Sequence, residues 1–425
     1  MSDAREDFIK SLWVADIHLL STARNSIADQ ILWYNVDKMK EQKSIDIERI
    51  LNRGIEGMEV RTSLEKKLSS GKKLRIKFGI DPTKPDIHLG HTVVLRKLRQ
   101  FQNAGHKAVL IIGDFTAQIG DPSGRSEERV PLTKKEVMVN LRGYLKQAGK
   151  IVDMKKAEIH YNSSWQEKKG LQPFLELLKA ASVQQLLERE DFQKRIKEGA
   201  KISALEMTYP LLQGYDSVMV KADVELGGTD QLFNLMMGRR VQRHFGQPEQ
   251  DIITMPLLVG TDGTKKMSKS YGNYVGVTDE PTQMFGKIMA IPDNLISTYF
   301  ELLTDEKAPE GFGPREAKLT LAEIIVEKLH NQKKALAAKE EFVRVFSKRE
   351  APKEAPELKC AGEESRILDL VVKALPQESK SELRRLIAQG AVQLGERQFR
   401  DADDLCTPKK NEILKIGKHR FFKIV

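Results

Sequence analysis

The spacing of hydrophobic and polar positions changes several times along the chain, and each change marks a new kind of element. Leu74-Arg75-Ile76-Lys77-Phe78-Gly79-Ile80 alternates with the period of a strand. Asp81-Pro82-Thr83-Lys84-Pro85 is a loop, and from Leu89 to Asn103 apolar residues recur at helical spacing until Gly105 closes the segment. Ala108-Val109-Leu110-Ile111-Ile112 is an unbroken apolar run ending at Gly113, the pattern of a buried strand. Strand, loop, helix and strand in this order predict a parallel pair joined by a right-handed crossover.

Residues 130–220 are mainly helical in pattern, with breaks near Gly149 and Gly170, and residues 223–228 and 252–260 return as short strands. Beyond Pro281 the pattern is helical to about Lys348. Ala351-Pro352-Lys353-Glu354-Ala355-Pro356-Glu357 reads as a charged linker. The expected fold is α/β, with a Rossmann-like parallel-sheet domain and helical insertion over 41–260. A loop and helical domain over 261–350, a linker over 351–358 and a small α+β unit over 359–425 follow. Residues 1–40 show no strand run or turn punctuation and form an extension without an assigned role.

Composition narrows this picture. A chain of 425 residues with 40% hydrophobic content can bury several cores, which excludes a wholly disordered protein. No segment approaches the ~20 consecutive apolar residues of a membrane helix. Cys360 and Cys406 cannot build a disulfide framework and lack zinc spacing, so a reducing cytoplasm fits best. The net charge of +10 permits a polyanionic partner without naming one. Part of it is local, because residues 359–425 hold fourteen Lys and Arg against ten Asp and Glu.

Two segments could carry chemistry. His88-Leu89-Gly90-His91 lies where the first loop meets its helix. A helix N-terminus offers unpaired N–H groups and positive potential to a phosphate, the imidazoles add donors, and Gly90 lets a flat base approach the backbone. Metal ligation would need a further ligand at suitable spacing; the sequence offers none, so no metal site is assigned. Lys266-Met267-Ser268-Lys269-Ser270 follows Gly260-Thr261-Asp262-Gly263-Thr264. It is either a solvated basic loop or a mobile one that brings two ammonium groups onto a polyphosphate. A phosphate-loop motif and a dinucleotide fingerprint are both absent.

Between these motifs, about 175 residues apart, stand Asp121-Pro122-Ser123-Gly124, Tyr209-Pro210-Leu211-Leu212-Gln213-Gly214-Tyr215-Asp216 and Gly227-Gly228-Thr229-Asp230-Gln231. The set resembles class I aminoacyl-tRNA synthetases, and the chain from about Ile45 to Val425 is similar to the bacterial-type tyrosyl-tRNA synthetases. The resemblance implies activation of L-tyrosine by ATP and its transfer to tRNA(Tyr) by a cytoplasmic homodimer, with Mg2+ carried by ATP. It implies that Asp121, Tyr209 and Gln213 hold the substrate ammonium, a role suited to three acceptors. Asp216 would hold the phenol hydroxyl, and Gln231 would meet the substrate carboxylate or carbonyl. Gly79, Gly90, Gly227 and the ribose-binding Asp230 would line the ATP site. Thr83, His88, His91, Lys266 and Lys269 would contact ATP and form the catalytic set. The last unit is similar to the S4-type RNA-binding fold, which implies phosphate contacts from Lys380, Arg384, Arg385, Lys418 and Arg420; the other reading is a small charged cap that binds nothing.

One position departs from the pattern. Some members of the family place a tyrosine where this chain has Lys77, sharing the phenol hydroxyl with the aspartate. Lys77 is either a variant reader of the phenol or faces elsewhere. Two rivals are weighed. Tryptophanyl-tRNA synthetase shares the architecture, but Asp216 and the terminal unit speak against it. A non-catalytic RNA-binding relative is opposed by the intact His88, His91, Lys266 and Lys269.

Overall fold

The computed structural model describes residues 47–123, 131–167, 170–347, 355–417 and 420–425. The extension over 1–40, Gly124, residues 351–354 of the linker and Lys418 lie outside the described residues. The chain forms two compact units, divided between Leu258 and Val259.

The first unit is built on a six-stranded sheet of β1 (Gly57–Glu59), β2 (Arg75–Ile80), β3 (Lys107–Ile112), β4 (Glu158–Tyr161), β5 (Val224–Gly228) and β6 (Asp251–Met255). Their order is β1-β6-β5-β2-β3-β4, parallel except for β1, which pairs antiparallel with β6. The expected crossover is helix α1 (Leu89–Asn103), whose buried stripe includes Val93, Val94, Leu98 and Phe101. From β2 the chain winds outward to β3 and β4, then returns to lay β5 on the other side of β2. This reversal is a topological switch point, and ligands of such sheets bind outside the carboxyl ends of the strands beside it.

Two longer helices flank β5: α2 (Ala204–Val220) before it and α3 (Leu232–His244) after it. Ser203 caps α2, accepting from the Glu206 backbone N–H while the Glu206 carboxylate accepts from Ser203 N–H. Between β4 and α2 run short helices, as the pattern predicts for this segment. The segment also contains β4, which the helical reading passes over. Its sequence Glu-Ile-His-Tyr is half polar because β4 is an edge strand, so it lacks the apolar run that marks β3. One strand in from the other edge, the expected strand over 252–260 is β6 alone. Its last residues leave the ladder, and Val259 pairs instead with Lys266.

The second unit begins with a helical part: α4 (Pro281–Met289), α5 (Ile296–Leu303), α6 (Pro314–Leu329) and α7 (Gln332–Phe342). A five-stranded sheet follows, formed by β7 (Glu357–Leu358), β9 (Val392–Leu394), β10 (Arg397–Phe399), β12 (Ile413–Ile416) and β13 (Arg420–Ile424) in the order β10-β9-β12-β13-β7. A small separate ladder pairs β8 (Ser365–Arg366) with β11 (Leu405–Cys406). Helices α8 (Ile367–Ala374) and α9 (Lys380–Ala388) share a core with the larger sheet through Ile367, Val371, Leu383, Ile387, Val392, Leu414 and Ile424. Gly390, at φ +70°, turns the chain out of α9 as a glycine can.

Candidate active site

The sequence-predicted residues of the first unit gather at the carboxyl ends of β2, β3 and β5 and on one face of α2. Tyr209, Gln213 and Asp216 are spaced i, i+4 and i+7, so α2 presents them together. Asp81, immediately after β2, accepts from the Tyr209 hydroxyl at 3.0 Å and from the Thr116 hydroxyl at 2.7 Å. Gly113 makes room for this arrangement, since a Cβ there would overlap the Asp81 carboxylate. Asn162 extends the chain of bonds, donating to Thr116 Oγ1 at 3.0 Å and to Asp216 Oδ2 at 3.2 Å. Trp165 Nε1 and Gln166 Nε2 donate to the other Asp216 oxygen at 2.8 and 3.3 Å.

Asp121 is fixed from several sides. It accepts from Ser123 N–H at 3.0 Å, Ser123 Oγ at 2.7 Å, Gln231 Nε2 at 2.7 Å and Asn234 Nδ2 at 3.2 Å. Buried Arg189 supports this group, donating to Asn234 Oδ1 at 2.6 Å and Ser123 Oγ at 3.1 Å while lying over the Phe192 and Phe233 rings.

The electrostatics show that these groups converge. Burial raises the Tyr209 hydroxyl well above the ordinary tyrosine range, and the negative charges of Asp81, Asp121 and Asp216 add to it. Burial also pushes the Asp216 carboxyl up to about 6, against the opposing pull of Lys77 and the three donors named above. A buried tyrosine among three carboxylates makes a negatively charged cluster that suits a small cationic group.

The Lys77 ammonium makes its own contacts beside this cluster. It is 0% exposed and pairs with Glu225 at 2.8 Å, directly across the β2–β5 ladder. Its ammonium also donates to the Gln213 carbonyl at 2.8 Å and Ser217 Oγ at 2.7 Å, both on α2. Of the two readings of Lys77, these contacts fit the one in which its ammonium faces elsewhere, although its charge still acts on the Asp216 carboxyl.

At the start of α1, His88 and His91 form a reciprocal cap. His88 Nδ1 accepts from Gly90 N–H at 3.2 Å, and His91 Nδ1 accepts from His88 N–H at 3.3 Å. With both Nδ1 atoms accepting, the neutral rings carry their protons on Nε2, as donors. Thr83 lies in the preceding loop, its N–H bonded to the Asp81 carbonyl at 2.8 Å. Gly79 is exposed although its neighbours in β2 are buried, and a Cβ there would meet nothing within 4 Å. Gly227 and Gly228 are the opposite case: a Cβ would press on Leu235 and Gln231 at the first and on Asp230 and Leu257 at the second. Asp230 itself sits in the turn that follows β5.

Lys266 and Lys269 belong to the second unit. Their loop is organised around buried Asn273, which donates to Asp262 Oδ2 at 2.9 Å and the Lys266 carbonyl at 3.2 Å and accepts from Ser268 N–H at 2.8 Å. Met267 points inward, Lys266 is exposed, and Lys269 lies 5.5 Å from the Tyr274 ring. Lys380, Arg384 and Arg385 are exposed on α9 opposite buried Leu383 and Ile387, while exposed Arg420 pairs with Glu378 at 3.1 Å.

Sequence reasoning misses Asp81, Trp165, Asn162, Arg189, Asn234 and Glu225. Asp81 had a usable signal, a carboxylate directly after the first strand of a parallel sheet. The others lie in the insertion or on strand and helix positions that pattern alone reads as scaffold.

The model of class I tRNA synthetases (W and Y) matches residues 69–347. A tyrosine–tRNA ligase of Carboxydothermus hydrogenoformans is 47% identical over 410 residues, covering 92% of this chain and 99% of that protein. That of Thermotoga maritima is 46% identical over 387 residues, covering 88% and 96%. Among solved structures, a C-terminally truncated mitochondrial tyrosyl-tRNA synthetase of Aspergillus nidulans matches with a TM-score of 0.60 at 21% identity, over 73% of this chain and 99% of that one. The tyrosyl-tRNA synthetase of Archaeoglobus fulgidus, complexed with L-tyrosine, matches with a TM-score of 0.57 at 23% identity, over 69% and 99%; both likenesses speak to fold. The chain belongs to the tyrosine–tRNA ligase family of class I tRNA synthetases.

Proposed function

We propose that the chain performs the reaction of its family with tyrosine seated among Asp81, Asp121, Tyr209, Gln213, Asp216 and Gln231. The observation that carries this reading is buried Tyr209, bonded to Asp81 on the helix face that also presents Gln213 and Asp216. Asp121, Tyr209 and Gln213 supply acceptors for the substrate ammonium, and Asp216 accepts from the phenol hydroxyl. Gln231 turns its amide toward the substrate carboxylate as it now does toward Asp121.

The substrate carboxylate is ionised at neutral pH and needs no general base to attack the α-phosphorus of ATP. A carboxylate–phosphorus bond forms, the bond to pyrophosphate breaks, and tyrosyl-adenylate is left. Catalysis is then positioning and charge stabilisation. His88 and His91 offer Nε2–H donors, the α1 N-terminus adds its dipole, Thr83 adds a hydroxyl, and Lys266 and Lys269 add positive charge. Gly79 and Gly90 leave room for the nucleotide, and Asp230, beside Gly227 and Gly228, accepts from the ribose. Mg2+ carried by ATP would supply further positive charge at the phosphates. A hydroxyl of the tRNA 3′-terminal ribose then attacks the adenylate carbonyl, and AMP leaves.

Exposed Lys380, Arg384, Arg385 and Arg420 support tRNA binding by an S4-like region over 359–425, with the helical part over 261–350 on the anticodon side. A homodimer is supported by helix Leu171–Leu178, whose Leu171, Leu175 and Leu178 form an exposed apolar stripe. Cytoplasmic residence agrees with two buried, free cysteines. The test is amino-acid-dependent pyrophosphate exchange. Tyrosine should drive it, with tryptophan and phenylalanine at least about 10³-fold weaker; exchange driven equally by tryptophan would overturn the assignment.

A further inference from the structure

On the face of the sheet that α2 covers, β2 presents Lys77 and then Gly79, and β5 presents Glu225 and then Gly227. Charged side chains thus stand one step below the glycines, toward the interior. The pair is fully enclosed, with exposures of 0% and 1%. Burying two ions is costly, and apolar residues of similar volume would fill the space without that cost. What the pair does beyond filling space is visible in its contacts. Glu225 Oε1 accepts from Gln213 Nε2 at 3.2 Å, and the Lys77 ammonium bonds the carbonyl of the same glutamine at 2.8 Å. Glu225 Oε2 is occupied by Ser217 Oγ at 3.1 Å and by Gln250 Nε2.

We propose that the Lys77–Glu225 pair is a positioning device for the tyrosine site, clamping Gln213 by both its backbone and its side chain. An amide has two ends, and only one of them can serve an ammonium. With its nitrogen committed to Glu225, Gln213 turns its carbonyl oxygen the other way, as the acceptor the substrate requires. Lys77 in turn holds the carboxylate that commits it. Neither residue touches tyrosine. The proposal rests on the reading of Gln213 as an ammonium ligand.

Two double variants separate orientation from mere packing. Lys77→Met with Glu225→Leu removes the acceptor, while Lys77→Met with Glu225→Gln removes the charges but keeps an oxygen for the Gln213 amide. The first should raise the tyrosine KM in pyrophosphate exchange about tenfold, with the ATP KM within about twofold. The second should restore most of the loss. A folded first variant with unchanged tyrosine KM, or two variants equally impaired, would overturn the proposal. A third measurement does not depend on the first variant folding. Gln213→Glu sets two carboxylates against each other and should weaken tyrosine use, and adding Glu225→Gln should recover it; no recovery counts against the clamp. Gln213→Ala with an unchanged tyrosine KM would instead refute the ammonium role itself, whatever the pair does.

Discussion

The tyrosine array of the first unit and the lysine loop of the second are built in opposite ways. In the array, Asp121 and Asp216 each accept at least three hydrogen bonds from other side chains, several of them far away in sequence. In the loop, Asn273 and Asp262 tie residues 260–273 chiefly to one another, and Lys266 is exposed. The difference fits the work proposed for each. Telling one amino acid from another requires acceptors that cannot rearrange around the wrong ligand, whereas charge developing on phosphate can be met by cations that arrive with a moving loop.

The largest expected effect breaks the array. Asp216→Asn should lower kcat/KM for tyrosine by about 10³-fold or more and erase most of the discrimination against phenylalanine, measured by pyrophosphate exchange with each amino acid. A small effect would mean that the array is scaffold. The same carboxyl gives a pH signature. Burial pushes it up to about 6, so kcat/KM for tyrosine should fall as pH drops below that value and the acceptor is protonated. Stability runs the other way. A carboxyl raised on folding contributes fully below its unfolded pKa near 4 and loses that contribution as pH rises through about 6. Near neutrality Asp216 therefore weakens the fold. Thermal melts from pH 4 to 7 should show Asp216→Asn gaining on the parent chain.

This contrast explains how much was legible in the sequence. The parallel sheet was readable because β2, α1 and β3 each carry one unambiguous period. The loop motif was readable because all its parts lie within a few residues. For the array, α2 showed its three candidate ligands at helical spacing, but their partners did not announce themselves. Trp165 and Asn162 reach Asp216 across about fifty positions, and Arg189 reaches Ser123 across sixty-six. Lys77 and Glu225 look like ordinary surface charges in a strand pattern, and only the register of β2 on β5 shows that they are buried together.

The second prediction breaks the loop. Lys269→Ala should lower the rate of adenylate formation by about 10²-fold while tyrosine affinity, measured by equilibrium dialysis, stays within about twofold. An equal fall in both would place this lysine with the array instead. Next, Asn273→Ala should reduce the same rate by about tenfold, because loop backbone groups lose the side chain that gathers them. Its melting temperature should change little, since the lost bonds lie within one segment.

The smallest expected effect concerns exposed charges that need even less fixed geometry than the loop. Arg384 stands on the outer side of α9, and Arg385 beside it is 65% exposed and paired with Glu382 at 2.6 Å. Such a pair in solvent contributes little to stability, so Arg385 can exchange its carboxylate for a phosphate at small cost. Each arginine that contacts RNA displaces about one condensed counterion. Arg384→Ala should therefore raise the KM for tRNA about threefold at moderate salt and reduce the slope of log affinity against log salt by about one. Pyrophosphate exchange without tRNA should be unchanged. Arg385→Ala should do slightly less, because the arginine must first leave Glu382. If both variants lowered pyrophosphate exchange as well, α9 would have to be read as part of the catalytic scaffold, and the distinction between fixed ligands and exposed charges would no longer hold for this unit.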